Sequence, residues 1–340
     1  MKKIFLIATI LSIVSFAYAQ QKRTTLSQKL PIIDMHLHAM KADAQGPPPF
    51  IFCLPRTDLV TWDNSKPYVE EFTKQFGSGN CSLRVVSPTT DQQLMERTLA
   101  IMRKNNMYGM LSGSETQKWM SLAPGRFIPG LLFNLNNRTP SVDSFRKLFT
   151  NGPYKVLGEV GIQYNGYSPG DSLFDPYLAV AEELDIPMAI HIGTGPVGAP
   201  YLQSPKYRAR LHSALLIEEA LMKHPKLRVY VMHAGWPMVD DMLAVLWTHP
   251  QVYVDVGVIS FALPRKEFHR YLQRIVEAGF GKRVMFGSDQ MVWPEVIDFA
   301  IQSIETATFL TQQQKRDIFY NNAARFLRLS KEETDRHHGR

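Results

Sequence analysis

The chain reads as an α/β protein of the (β/α)8 TIM-barrel class, and three observations support that reading. Apolar runs of strand length alternate with helix-like segments along most of the 340 residues, which is the order of parallel strands joined by crossover helices. Eight such runs can be counted, the number that closes a barrel. Several end on a histidine or a carboxylate, and the C-terminal ends of barrel strands are where that fold keeps its chemistry. An open doubly wound sheet binding a dinucleotide would instead carry a Gly-x-Gly-x-x-Gly turn after the first strand, and no such turn follows it.

Taken in order, the chain begins with Lys2 and Lys3, an apolar stretch from Ile4 to Phe16, and Ala17-Tyr18-Ala19. This is the succession of a secretory signal peptide, with an apolar part too short to span a bilayer. Residues 1–19 are therefore expected to be removed. That leaves residues 20–340 as a single barrel domain of an exported protein, periplasmic or extracellular, with no membrane contact after signal removal. Without Lys2 and Lys3, 36 basic residues face 31 acidic ones, a net of +5. Basic residues are scattered rather than clustered, so no nucleic acid partner is expected. A homo-oligomer stays open.

The first strand, Ile32–His36, leads into residues 41–88, a long stretch with Gly46-Pro47-Pro48-Pro49 near its start. It is expected to cap the barrel mouth. It also holds both cysteines, Cys53 and Cys81. A disulfide between them would be worth about 3 to 4 kcal/mol by loop closure, and two free thiols fit the sequence as well. The remaining strands are expected at Met107–Ser112, Phe127–Phe133, Lys155–Val160, Met188–His191, Arg228–His233, Val252–Val256 and Arg283–Gly287. Between them, Thr90 with Gln93 and Thr311 with Gln314 resemble capping boxes, and Pro237 and Pro294 suit first-turn positions. A second insertion, Gly193–Arg208, follows His191. His224 and His249 precede prolines at helix exits, where dipole complementarity explains them. His212 and His269 read as surface or packing residues, and Ser330–Arg340, with His337 and His338, as a solvated end.

The strand ends carry the chemistry. His36 and His38 are two residues apart, and a strand sends i and i+2 to one face, so both imidazoles converge. Glu159 interrupts the apolar run Val156-Leu-Gly-Glu-Val160, where an unpaired carboxylate would cost several kcal/mol unless a cation relieved it. His191, His233 and Asp289 close three further strands. Imidazole and carboxylate without thiolate suit Zn²⁺ first, with Mn²⁺, Fe²⁺ or Co²⁺ as alternatives, as one ion or two. A divalent ion lowers the pKa of its water to about 7. Asp289 would touch the metal and accept that water's proton, while His233 would help polarise a substrate carbonyl. Asp34, on the His36 face but one layer deeper, suits orienting a ligand histidine. Asp255 reads as structural. Tyr164, Trp236, Gln290 and Trp293 follow the ligands and are candidates to line a substrate pocket.

Asp34-Met-His36-Leu-His38, Gly158-Glu159-Val-Gly161, His191, His233-Ala-Gly235 and Gly287-Ser-Asp289, with the closing Tyr320-Asn-Asn-Ala-Ala-Arg325-Phe-Leu327, together resemble the amidohydrolase superfamily, in its amidohydrolase-related branch. The resemblance spans roughly residues 30 to 328. It implies a distorted barrel with one or two divalent metals on the paired histidines, His191, His233 and Asp289. Members of that branch often hold a single ion at positions matching His36, His38, His191 and Asp289 and keep the strand-six histidine for catalysis. A strand-four glutamate is similar to the two-metal members, where it bridges the ions. The function expected on these grounds is hydrolysis of a C–N, lactone or ester bond of a small molecule by metal-activated water. A non-oxidative decarboxylase on the same ligands is the alternative, and a metal-holding binder without turnover a third.

Overall fold

Eight parallel strands form a nearly closed barrel with helices between them. They are β1 (Ile32–His38), β4 (Met107–Ser112), β5 (Phe127–Phe133), β6 (Val156–Val160), β7 (Met188–His191), β8 (Val229–Met232), β9 (Tyr253–Asp255) and β10 (Val284–Met285), hydrogen-bonded in that order. The short antiparallel pair β2 (Ile51–Leu54) and β3 (Leu83–Val86) stands apart as a hairpin between β1 and β4. This is a computed structural model that describes residues 29–55, 58–78, 83–193 and 195–340. The expected signal segment and Cys81, hence the Cys53–Cys81 pairing, lie outside the described residues. Among those described, no helix is long and apolar enough to cross a membrane.

Burial explains the strand sequences. Ile33, Met35, Met110, Val156, Ala189, Tyr230, Met232 and Met285 cluster with Tyr320, Ala323 and Phe326 from the C-terminal helical segment. A second, larger cluster takes the alternate strand residues, among them Ile32, Leu37, Met107, Leu157, Met188, Val229 and Val254, together with residues of the surrounding helices. Strands apolar on both faces in this way are the mark of a parallel sheet covered by helices. Register slips between Asp34 and Leu37 in β1 and between Leu157 and Val160 in β6, the two strands carrying His36 and Glu159. β10 and β1 close the ring through single backbone bonds, Met35 N to Phe286 O at 2.9 Å and Asp289 N to His36 O at 2.7 Å, rather than a strand ladder.

Several expectations are corrected. Residues 41–88 are not a bare loop: they carry the hairpin and a helix, Tyr68–Ser78. Trp293 holds the hairpin down, its Nε1 donating to Phe50 O at 2.9 Å and its ring stacked on Phe52. Pro237 and Pro294 precede the N-caps Met238 and Glu295 instead of occupying the first turn. Thr311 and Gln314 make the reciprocal capping box, whereas at Thr90 only half forms, because the Gln93 side chain turns to Thr89. The C-terminal end is a docked helix, Lys331–His337, with its own capping box. His337 is buried, stacks on Tyr108 at 3.7 Å, and pairs with the Tyr320 hydroxyl at 3.0 Å.

Candidate metal centre

The histidines at the strand ends are each anchored through one ring nitrogen; in His36, His38 and His191 the other faces a carboxylate oxygen, and in His233 it faces His191 Nδ1. His36 Nδ1 donates to Asp255 Oδ2 at 3.1 Å, His233 Nδ1 donates to Gly257 O at 3.0 Å, and His38 Nδ1 pairs with Ser112 Oγ at 3.3 Å. His191 is reversed, with Nε2 against the Tyr164 hydroxyl at 3.2 Å. A ligand histidine is held in one tautomer by the bond its far nitrogen makes. With a cation bound, each free nitrogen would present its lone pair inward.

Those nitrogens meet Glu159 and Asp289. His36 Nε2 lies 3.8 Å from Glu159 Oε2 and 3.6 Å from Asp289 Oδ1, and His38 Nε2 lies 3.4 Å and 3.1 Å from the same two atoms. Ligands of a tetrahedral ion at 2.0–2.1 Å stand about 3.3 Å apart; His36, His38 and Glu159 bring ligand atoms within 4.8 Å of one another, and Asp289 stands beside both histidines. His36 Nε2 is buried and has no hydrogen-bond partner, an orphaned atom that such a cation would satisfy. The other Glu159 oxygen, Oε1, contacts His191 Nδ1, and His191 Nδ1 lies 3.1 Å from His233 Nε2. Glu159 thus spans two donor sets: His36, His38 and Asp289 on one side, His191 and His233 on the other. A third grouping, His36, His233 and Asp255, is already tied up in the hydrogen bonds around Asp255.

The charge balance agrees. Burial would push the Glu159 and Asp289 carboxyls up, but His191 and His36 hold Glu159 well below its ordinary value, and His36, His38 and His233 hold Asp289 down. Burial opposes a charged His36, yet Asp289 and Asp255 raise it well above the ordinary imidazole range. The carboxylates therefore demand a positive charge at this point, which a proton or a cation supplies. His233 is pushed down to about 4 by burial and by His191 and His36, so it stays neutral.

The backbone bends sharply here. His233, Ala234, Val258, Asp289 and Met291 all have positive φ and all follow the ends of β8, β9 or β10, a region non-glycine residues avoid and that clusters at functional sites. Gly257 is required by close approach, because a Cβ there would sit 2.6 Å from His36 Nδ1.

Two supporting roles differ from those expected. Asp34 does not touch a histidine ring; its Oδ1 accepts from the backbone N of His36 and of Ser288, both at 2.9 Å, and burial pushes its carboxyl up to about 7. Asp255 orients the ring instead, and its Oδ1 also accepts from His233 N and Gly257 N. Of the residues expected to line a pocket, Tyr164 stands against His191, and Trp236 is half-buried with an unpartnered Nε1. Gln290 is buried and spends its whole amide on the backbone of His38, and Trp293 packs the hairpin, so neither lines the site.

Sequence reasoning missed His212. It is fully buried, its ring 5.5 Å from that of His191 and 4.4 Å from that of Tyr207, and burial beside His191 and His233 pushes it down to about 3. The acid-free stretch around it was the available signal.

A parallel barrel with imidazoles and carboxylates gathered at the C-terminal ends of its strands is the architecture of the amidohydrolase superfamily, whose members are enzymes that use divalent metals on small-molecule substrates. The chain belongs to that family: the model described as Amidohydrolase matches residues 33–329. Among solved structures, an uncharacterised TIM-barrel protein of Bordetella bronchiseptica is similar at 17% identity and TM-score 0.59, over 92% of this chain and 100% of that one. A 5-carboxyvanillate decarboxylase of Sphingomonas paucimobilis is similar at 16% identity and TM-score 0.51, over 68% and 82%. A probable 2-pyrone-4,6-dicarboxylic acid hydrolase of Acinetobacter baumannii is similar at 14% identity and TM-score 0.53, over 88% and 99%. At these identities the likeness is one of fold. No curated protein matches.

Proposed function

We propose that this protein is an exported metal-dependent hydrolase that cleaves a C–N, lactone or ester bond of a small molecule. The observation that carries the reading is Glu159 spanning two sets of inward-facing donors, with Asp289 held charged between His38 and His233. Zn²⁺ suits the donors best, with Mn²⁺, Fe²⁺ or Co²⁺ as alternatives. His36, His38, Asp289 and Glu159 would hold one ion, and Glu159, His191 and His233 a second where one enters. When bound, a divalent cation supplies a water ionising near pH 7 and a Lewis acid for the scissile carbonyl.

The chain's own residues do the rest. Asp289 stays a carboxylate because three imidazoles surround it, and its Oδ2, 4.0 Å from His233 Nδ1, is the base that takes up a proton. His233 cannot serve as the resting acid, being neutral with its Nδ1–H committed to Gly257 O. Its Nε2 is left to face ligand or substrate. Tyr164 stays protonated, because burial and the Glu159 charge hold its hydroxyl well above the ordinary range, so it presents an O–H beside His191.

The test is turnover by metal-replete protein in ¹⁸O-water across an amide, lactone and ester panel. One ¹⁸O per product without carbon dioxide supports hydrolysis. Carbon dioxide release without ¹⁸O would replace the reading with the decarboxylase alternative, which uses the same donors to hold a carboxylated substrate. Tight ligand binding with no turnover of any kind would replace both with a binder.

A further inference from the structure

We infer that the segment Lys206–His212 is a recognition subsite for a carboxylate on the ligand. The inference rests on the hydrolase reading for its catalytic consequence but not for binding. A pocket of about 340 Å³ opens between the turn after β6 and the segment after β7, lined by Asn165, Tyr167, Lys206, Arg208, Arg210 and Leu211. Three of these side chains are cationic and none is acidic. The stretch from Ile186 to Ile217 holds no aspartate or glutamate, and among the described residues neither Lys206 nor Arg210 forms an ion pair. Some surface arginines elsewhere are paired, Arg97 with Glu295, Arg146 with Glu183 and Arg274 with Asp240. Arg208 is steadied by donating through Nη1 to Pro205 O at 2.9 Å and Tyr207 O at 2.6 Å, which leaves its other N–H groups for a ligand. A fork of this kind matches a carboxylate in two bonds.

The pocket adjoins the metal centre through aromatic rings. Tyr207, between two of the cations, is buried, and its hydroxyl accepts from Gly195 N at 2.8 Å. Its ring stacks on His212, and Tyr164 lies 5.5 Å from Tyr207 and 4.9 Å from His191. Tyr207, on the segment that carries the cations, is therefore two ring contacts from a metal-facing histidine, at the same end of the barrel. His212 is fully buried beside His191 and close to the backbone of Gly193. A substrate with its scissile bond at the metal centre would extend its carboxylate toward Arg210.

Two measurements test this on the metal-loaded protein. Calorimetric titration with succinate at low salt is expected to show binding that its diamide, succinamide, lacks. That binding should weaken in 0.5 M salt and fall about tenfold or more in the double variant Lys206→Ala/Arg210→Ala, two exposed positions whose loss leaves the fold intact. Succinate that fails to bind wild type, or binds the double variant equally, overturns the subsite. In the second measurement, the ratio of kcat/KM for mono-4-nitrophenyl succinate over 4-nitrophenyl acetate is expected to exceed one and to drop about tenfold in the double variant, through KM. An unchanged ratio overturns the subsite. Succinate binding as described, with neither ester hydrolysed, upholds the subsite and counts against the hydrolase reading.

Discussion

Asp255→Asn isolates the fixing of a tautomer as a source of metal affinity. In the native site Asp255 Oδ2 accepts the Nδ1–H of His36, both side chains being fully buried, and Oδ1 accepts from His233 N at 3.0 Å and Gly257 N at 2.8 Å. Asparagine can keep the two backbone bonds with its oxygen, which turns its NH₂ toward His36 Nδ1. Two donors would then face each other, and His36 relieves the clash by moving its proton to Nε2, the nitrogen that faces Glu159 and Asp289. The lone pair meant for the cation is gone. Supporting groups of this kind are worth roughly 10- to 100-fold in metal affinity, about 1.4 to 2.8 kcal/mol. The backbone bonds should survive, so the metal-free variant should unfold within about 1 kcal/mol of wild type. Competition for Zn²⁺ against a chromophoric chelator measures the first quantity and urea unfolding the second. Equal Zn²⁺ affinity in Asp255→Asn and wild type would refute the argument.

Other outcomes follow from the same geometry. Glu159→Gln is expected to lower metal content per chain, since a neutral amide cannot serve both donor sets; equal metal by mass spectrometry in the two proteins would contradict this. Metal uptake near pH 7 is expected to release protons, because His36 is held above its ordinary value by Asp289 and Asp255 and must give up its proton to bind. Calorimetry in two buffers of different ionisation enthalpy reads this directly, and identical heats would count against it. Gly257→Ala puts a methyl 2.6 Å from His36 Nδ1, so it should abolish tight metal binding in a chain that still folds by circular dichroism. Burial lowers His337 to about 4 from its ordinary 6.5, so the unfolded chain binds the extra proton and stability rises with pH across that window. Its contribution is complete above about pH 6.5 and is lost as pH falls toward 4, at most about 2 to 3 kcal/mol. His337→Phe keeps a ring against Tyr108 and should flatten that part of the pH profile of urea unfolding.

Much of the barrel was legible because its signal is local. Met107–Ser112, Phe127–Phe133 and Met188–His191 fall where the apolar runs put them, and the strand-end histidines and carboxylates do gather. Local patterns fail where a role is assigned by a neighbouring strand. Asp255 looked structural because nothing in Val252–Val256 shows that His36 lies beside it. Gln290 and Trp293 looked like pocket residues because they follow Asp289, but the chain turns through positive φ at Asp289 and Met291 and sends both into packing. The β2–β3 hairpin was hidden among prolines and glycines that read as loop. His337 was misjudged because a charged terminal segment resembles solvent-facing chain until Tyr108 and Tyr320 provide a docking surface. His212 sits in a short 3-10 turn whose burial depends on Tyr164 and Tyr207, which come from two different loops.

The single backbone bonds between Met35 and Phe286 and between His36 and Asp289 join the earliest and latest strands of the ring. The donors that would hold a cation stand on both sides of that junction, so a bound ion would act as a clasp between regions some 250 residues apart. A chain still being synthesised could not fasten it until Asp289, some 250 residues after His36, had emerged. Chelation should therefore be felt at this one joint, with amide exchange quickening at His36 and Asp289 well before it does at Met188 or Val229.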